Sequence, residues 1–223
     1  MKEVVMGGLG GQGPKLAGDC LVRAALLEGK YAQSRPCYGP ERRAGVVVVF
    51  YRLDDVPIRK KCVFTEADCV LLMHEYLLES LQSLGSVATA KVMQDGSSLL
   101  RLDDSMLRGM LYFGATGITE VKLKKGGVII ANTKVEPENI KFKSDVQPSK
   151  IATLDAYTIS REVYGDRAIP IVNTIMMGAF AKASGWLKID SVVEAIRLQW
   201  PQAAETNAKA ALKGYEAVKV LEV

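Results

Sequence analysis

Five of the seven residues in Gly7-Gly8-Leu9-Gly10-Gly11-Gln12-Gly13 are glycine, and this cluster sits almost at the start of the chain. Glycine loses more backbone entropy on folding than any other residue, so such a cluster belongs to a turn between elements. The short apolar run Glu3-Val4-Val5-Met6 before it reads as a strand. After it, Pro14 opens a segment with apolar residues at Leu16, Cys20, Leu21, Ala24, Ala25 and Leu27, which is helical spacing. Pro14 suits a first helical turn, where its missing N–H is no loss, and Gly29 is a stop signal. Tyr31-Ala32-Gln33-Ser34 then reads as a second strand. A strand, a glycine turn, a helix and a strand in that order open a parallel α/β sheet.

The turn contains G-x-G-x-x-G at Gly8, Gly10 and Gly13. The leading glycines permit a tight turn and a close backbone approach, and the following helix offers free N–H groups to an anion such as a phosphate. The alternative is a tight turn that binds nothing. A NAD enzyme places an acid at the end of the second strand to hold the ribose hydroxyls. Here that strand reads Tyr31-Ala32-Gln33-Ser34-Arg35 and has none. Arg35 suits a 2′-phosphate, which leaves a free-standing NADP-dependent reductase as a second reading.

Arg35 to Gly45, with two prolines and two glycines, reads as a loop. Within it, Tyr38-Gly39-Pro40-Glu41-Arg42-Arg43 sets two adjacent arginines beside a glutamate. Arginine forks match phosphate or carboxylate in bidentate fashion, so this is an anion site or an interface clamp; the alternative is an exposed loop with a local ion pair of little energetic weight. Val46–Tyr51 and Asp68–Met73 read as buried strands and Glu75–Leu81 as a short helix. The stretch from about 84 to 117 is broken by Gly85, Asp95-Gly96, Asp103-Asp104, Gly109 and Gly114 and reads as an insertion. Gly127–Asn132 restores the core pattern, and Ile151–Leu154 reads as the last strand. Helix-period apolar residues then mark Asp155–Tyr164, Ile171–Ser184, Ser191–Trp200 and Ala204–Val218. The expectation is one α/β domain over residues 1–223. It has a Rossmann-like parallel sheet with flanking helices, an inserted segment at 84–117 and a helical C-terminal part.

Composition narrows the function. With 48% hydrophobic and 24% charged residues, the chain has the balance of a soluble globular protein and can bury a core without staples. A net charge of +4, with Lys and Arg scattered, gives no basic stripe and argues against nucleic acid. Cys20, Cys37, Cys62 and Cys69 form no C-x-x-C pair, and with the single His74 they make a poor zinc or iron–sulfur ligand set. The expectation is ordinary thiols in a reducing cytoplasm, with no membrane association. His74 ends an apolar strand and reads as structural, with a general base as the alternative. Cys37 lies near Arg35 and Arg42, which would lower its thiol pKa; an inert thiol is the plainer reading. Met176 and Met177 read as core fillers, and Asn173, among apolar neighbours, as a cap or bridge to something buried.

Several segments together resemble the gamma subunit of 2-oxoacid:ferredoxin oxidoreductases. They are Gly8–Gly13, Ala17-Gly18, Glu28–Ser34, Tyr38–Arg43, Asp55–Arg59, Gly127–Thr133 and Ile169–Thr174 with Gly178-Ala179-Phe180. The pyruvate and 2-ketoisovalerate branch is nearest in wording. The 84–117 stretch looks longer than the family's usual connection, and Ala44-Gly45 stands where a double glycine is common; both suggest a divergent branch. A phenylglyoxylate-type dehydrogenase passing electrons to NAD is therefore an alternative. The resemblance implies oxidative decarboxylation of a 2-oxoacid with coenzyme A, giving acyl-CoA, carbon dioxide and electrons for ferredoxin or another acceptor. It implies thiamine diphosphate, Mg2+ and [4Fe-4S] clusters in alpha, beta and delta-type partner subunits, since no G-D-G…N motif and no cluster cysteines occur here. It also implies a coenzyme A site, with Gly8, Gly10, Gly11, Gln12, Gly13, Tyr38, Glu41, Arg42, Arg43 and Asn173 as candidates and no catalytic residue in this chain.

Overall fold

Along each central strand, neighbouring apolar residues point to opposite faces, and the fold covers both. The computed structural model describes residues 1–38, 46–84, 86–88, 120–142 and 146–223. The elements are β1 (Lys2–Leu9), α1 (Pro14–Leu27), β2 (Tyr31–Tyr38), β3 (Val46–Asp54), β4 (Glu66–Leu72), α2 (Glu75–Leu84), β5 (Ser86–Ala88), β6 (Glu120–Asn132), β7 (Pro148–Leu154), α3 (Ala156–Tyr164), α4 (Asn173–Ser184), α5 (Ile189–Gln199), α6 (Ala204–Ala217) and β8 (Lys219–Glu222).

The sheet runs β2-β3-β1-β4-β6-β7-β8, with β5 paired to β6 off this path. Strands β1, β4, β6 and β7 are parallel to their neighbours in that series. The α/β expectation holds, with a mixed sheet in place of a purely parallel one. The strand after α1 does not lie beside β1: β3 takes that slot, antiparallel to both β1 and β2. The chemistry of the two strands explains the exchange. Val47–Leu53 of β3 is buried throughout, so this strand needs cover on both faces and partners on both sides. The half-exposed β2 takes the edge. There it continues through Arg35-Pro36-Cys37, residues the sequence assigns to the loop; an edge strand tolerates a proline because it lacks one row of partners. A second correction lies at the other edge. Ile151–Leu154 is not the last strand, because β8 adds antiparallel to β7, with Val220 opposite Ala152.

One face of the sheet, with Val5, Phe50, Val70, Leu72 and Ile129, packs on Leu77, Leu78 and Leu81 of α2. The other, with Val4, Met6, Val49, Tyr51, Leu71 and Ile130, lies under α1 and α3–α6. Helix α4 is apolar almost all round and buried almost throughout. It crosses α6 at two glycines, where a Cβ on Gly178 would fall 1.9 Å from the Ala211 carbonyl oxygen and one on Gly214 2.0 Å from that of Ile175. At the amino ends of the parallel strands, Glu3 accepts from Arg52 Nε at 3.0 Å, and Lys124 bridges Glu3 and Asp68. Arg52 is buried, and its Nη1 is satisfied by the Lys60 and Cys62 carbonyls. Among the described residues no helix is long and apolar enough to cross a membrane.

Candidate functional site

At the carboxyl ends of β1 and β4 the connections part: α1 leads away to β2 on one side, and α2 leads towards β5 and β6 on the other. In an open α/β sheet the crevice at such a reversal is where ligands bind. The glycine turn fills one wall. Gly7 and Gly8 still belong to β1, and a Cβ on Gly8 would lie 3.2 Å from Met73 Cβ of the neighbouring strand's end. Gly10 and Gly11 form the turn, closed by the Gln12 N–H donating to the Leu9 carbonyl at 3.0 Å. Gly11 has φ +98° and Gly13 φ +82°, the left-handed region that favours glycine.

Helix α1 begins at Gly13 with no capping side chain and no acid in its first turn. Pro14 brings no N–H, which leaves the Lys15 and Leu16 amides without intrahelical partners at the positive end of the helix dipole. Lys15 pairs with Asp19, and that hydrogen bond and charge hold its ammonium pKa above the ordinary value.

Gln12 is buried, and its amide is spent inside the protein. Its Oε1 accepts from Leu9 N–H at 2.8 Å, and its Nε2 donates to the Tyr157 hydroxyl at 3.0 Å. The side chain thus braces the turn against α3. Asn173, the first residue of α4, is 5% exposed and lies under Gly13; a Cβ there would meet its Nδ2 at 2.7 Å. Its Oδ1 is buried with no partner among the described residues. Ile169, 48% exposed, lies over Gly11 in the same way. The spacing of Gly13 and Asn173, 160 positions apart, carries no local signal of this contact.

The opposite wall is His74 and Tyr157. Nδ1 of His74 accepts the Tyr76 N–H at 3.2 Å, capping α2. Burial pushes the imidazole pKa down, against the upward pull of Glu75 and Glu79. The Tyr157 ring stands edge-on to it at 6.3 Å, with its hydroxyl pKa raised by burial. The sequence marks His74 only as a histidine closing an apolar strand, and nothing in it singles out Tyr157.

Glu41, Arg42 and Arg43 lie outside the described residues. The residues flanking their loop do not: Tyr38 pairs with Val47, and Val46 pairs with Leu9, so both ends of the segment 39–45 open beside the glycine turn. Tyr38 is exposed. Arg35 donates to the Lys61 carbonyl at 2.8 Å. Cys37 fits the plainer reading of an inert thiol: burial raises its pKa and outweighs the Arg35 charge. The Cys20 thiol is pushed up to about 12 and that of Cys69 higher still, both by burial, so neither is a ready thiolate. Among the described residues no group of His, Cys, Asp or Glu is placed to hold a metal ion. These donors do not fit an iron–sulfur cluster.

The fold is an α/β domain with a glycine turn and an uncapped helix N-terminus at the carboxyl end of its first strand. The family model for pyruvate ferredoxin/flavodoxin oxidoreductase matches residues 3–217, and the chain belongs to that family, as a gamma subunit of a 2-oxoacid:ferredoxin oxidoreductase. The pyruvate/ketoisovalerate oxidoreductases common subunit gamma of Thermococcus litoralis is 35% identical over 224 residues, covering 100% of both chains. The 84–117 stretch, read above as an insertion, lies almost wholly outside the described residues. Pyruvate synthase subunit PorC of Methanothermobacter thermautotrophicus is 32% identical over 100% of this chain and 99% of its own. Among solved structures, pyruvate oxidoreductase subunit PORC from Thermotoga maritima superposes with a TM-score of 0.68 at 25% identity over 100% of both chains. The 2-oxoglutarate:ferredoxin oxidoreductase of Magnetococcus marinus shares the fold, with a TM-score of 0.60 at 14% identity over 97% of this chain and 31% of that one. These relatives are ferredoxin-oxidoreductase subunits, which supports the main reading over a free-standing NADP-dependent reductase or an NAD-linked phenylglyoxylate enzyme.

Proposed function

We propose that this subunit holds coenzyme A for a complex that converts a short aliphatic 2-oxoacid, pyruvate or ketoisovalerate, into acyl-CoA, carbon dioxide and two electrons passed to ferredoxin. Relatives named for those two acids support the substrate class. Thiamine diphosphate with Mg2+, carried by a partner subunit, supplies the carbanion chemistry, and [4Fe-4S] clusters in alpha, beta or delta-type partners carry the electrons. This chain's task is binding. The N-terminus of α1 takes a phosphate oxygen on the Lys15 and Leu16 amides. Gly11 and Gly13 keep side chains out of the way, while Gln12 and Asn173 brace the turn from within. Tyr38 ends the edge strand β2 beside the turn, and Glu41, Arg42 and Arg43 follow it in sequence, where the guanidinium groups would add charge-assisted hydrogen bonds. A cytoplasmic location belongs to the same reading, supported by four free thiols.

One observation carries this reading: the glycine turn and both ends of the arginine loop meet at one end of the sheet. Losing a hydrogen bond to a charged group is worth about 1.5–3 kcal/mol. Arg42→Ala or Arg43→Ala in the assembled complex should therefore raise the KM for coenzyme A roughly 10- to 150-fold. Reduction of the clusters by the oxoacid alone should be spared. Dissociation on gel filtration, with both half-reactions lost, would instead make the arginines an interface clamp. An intact complex with unchanged coenzyme A kinetics would leave them a solvated loop.

A further inference from the structure

We propose that the strap between β3 and β4, residues 57–64, is a docking surface for a carboxylate-rich face of a partner subunit. The proposal rests on membership of a family of oxidoreductase subunits and not on the coenzyme A reading. On this side of the sheet α2 packs on β4 and β6. Towards the β2 edge the cover thins to the strap, whose Phe64 stands edge-on to Phe50 of β3 with ring centres 5.0 Å apart.

Three side chains from β2 and β3 hold the strap by its main chain. Arg52 Nη1 donates to the Lys60 carbonyl at 3.3 Å and to the Cys62 carbonyl at 2.7 Å. Gln33 Nε2 donates to the Lys60 carbonyl at 2.6 Å, and Arg35 Nη1 to the Lys61 carbonyl at 2.8 Å. Arg52 is 4% exposed, with Glu3 as its counter-ion and the Phe64 ring 5.2 Å from its guanidinium. A buried ion pair is a weak source of stability; this one fixes the course of residues 60–62. The strap's own side chains are left to solvent. Arg59, Lys60 and Lys61 are all exposed, and none of the three is in an ion pair among the described residues. Of the acids nearest in sequence, Asp54 is taken by the Met1 amino group and Asp68 by Lys124. Asp55 and Glu66 do not balance three adjacent cations with Arg35 beneath them. Like charges on a pinned backbone repel and cannot spread apart, and carboxylates brought by a partner relieve that repulsion. Val56 and Tyr31, 60% and 43% exposed, lie at the same end of β2 and β3. Apolar groups beside cations suit a protein face better than a polyphosphate.

The test uses the assembled complex, with Lys60 and Lys61 changed together. Main-chain carbonyls hold the strap, so Lys60→Glu with Lys61→Glu leaves its anchors in place, and Lys60→Arg with Lys61→Arg keeps the charge. Gel filtration over a dilution series reads how tightly the complex holds this subunit. The glutamate variant should raise the subunit's dissociation constant about tenfold or more at low salt, because like charges facing each other across an interface are costly. The difference from wild type should shrink towards ~1 M salt, where the screening length falls to about 3 Å. The arginine variant should assemble as wild type does. Equal loss in both variants, or a loss that salt does not diminish, overturns the proposal, since charge is then not what the partner reads. A glutamate variant that stays assembled at every dilution overturns it too. If that intact complex shows a raised KM for ferredoxin, the strap receives the soluble electron carrier and not a subunit.

Discussion

Gly13 carries two constraints that no other residue type meets together. Its φ of +82° suits glycine, and the space beside its Cα is filled by the Asn173 amide, 2.7 Å from where a Cβ would stand. Gly13→Ala should destabilise the fold by roughly 1–3 kcal/mol from the backbone alone. In a chain of this length that lowers the melting temperature by about 2–4 °C per kcal/mol. Adding Asn173→Ala relieves the contact but not the strain, so thermal melting of the double variant should show partial recovery. Full stability in Gly13→Ala would show that the turn is not held as described. The sequence makes the need for glycine legible, because only glycine supplies such angles at no steric cost. It does not say which of the five is strained: Gly7 and Gly8 prove to be strand residues. Nor does it reveal that Gln12 faces inward, since a glutamine in a polar turn has no pattern that distinguishes buttress from ligand. Asn173 is legible as an odd polar residue in an apolar run, but its partner is a matter of tertiary packing.

Elements with strong periodicity or unbroken apolar character are the ones that sequence resolves. α4 is expected at Ile171–Ser184 and found at Asn173–Ser184, and β3 is expected at Val46–Tyr51 and found at Val46–Asp54. β8 is missed because Lys219-Val-Leu-Glu is four residues with a charge at each end, and its strand character comes from pairing with β7. The neighbours of β2 are missed because strand order is decided by which strand most needs burial, a comparison between segments that no single window contains. At the α4–α6 crossing, Gly178→Ala drives a methyl into the Ala211 carbonyl, and the helices must part. Overpacking of this kind costs about 1–3 kcal/mol or more, read as a lower urea midpoint; an unchanged midpoint would refute the backbone contact. α2 carries a pH dependence. Burial holds His74 below its ordinary value near 6.5, so the unfolded chain binds this proton more readily than the folded one. Stability is then level above about pH 6.5 and falls as pH drops from there to the folded value. Glu75, Glu79 and Tyr157 surround the ring. His74→Asn, which cannot titrate, should flatten this part of the stability–pH curve, and an unaltered curve would count against the cap.

Across the whole molecule, the reversal between β1 and β4 brings together parts that are far apart in the chain: the turn after β1, His74 after β4, Asn132 at the end of β6, and Tyr157 in α3. Each is unremarkable in its own segment. Their convergence comes from the parallel strands, which deliver every carboxyl end to the same side. The glycine crossing of α4 and α6 has a further consequence for how the molecule breathes. Backbone pressed on backbone leaves no side-chain cushion to give way, so α4 cannot loosen without separating from the sheet and from α6 at once. Its amide protons should therefore fall in the most slowly exchanging set, released only by global opening, whereas those of the exposed edge strand β2 should exchange through local fraying.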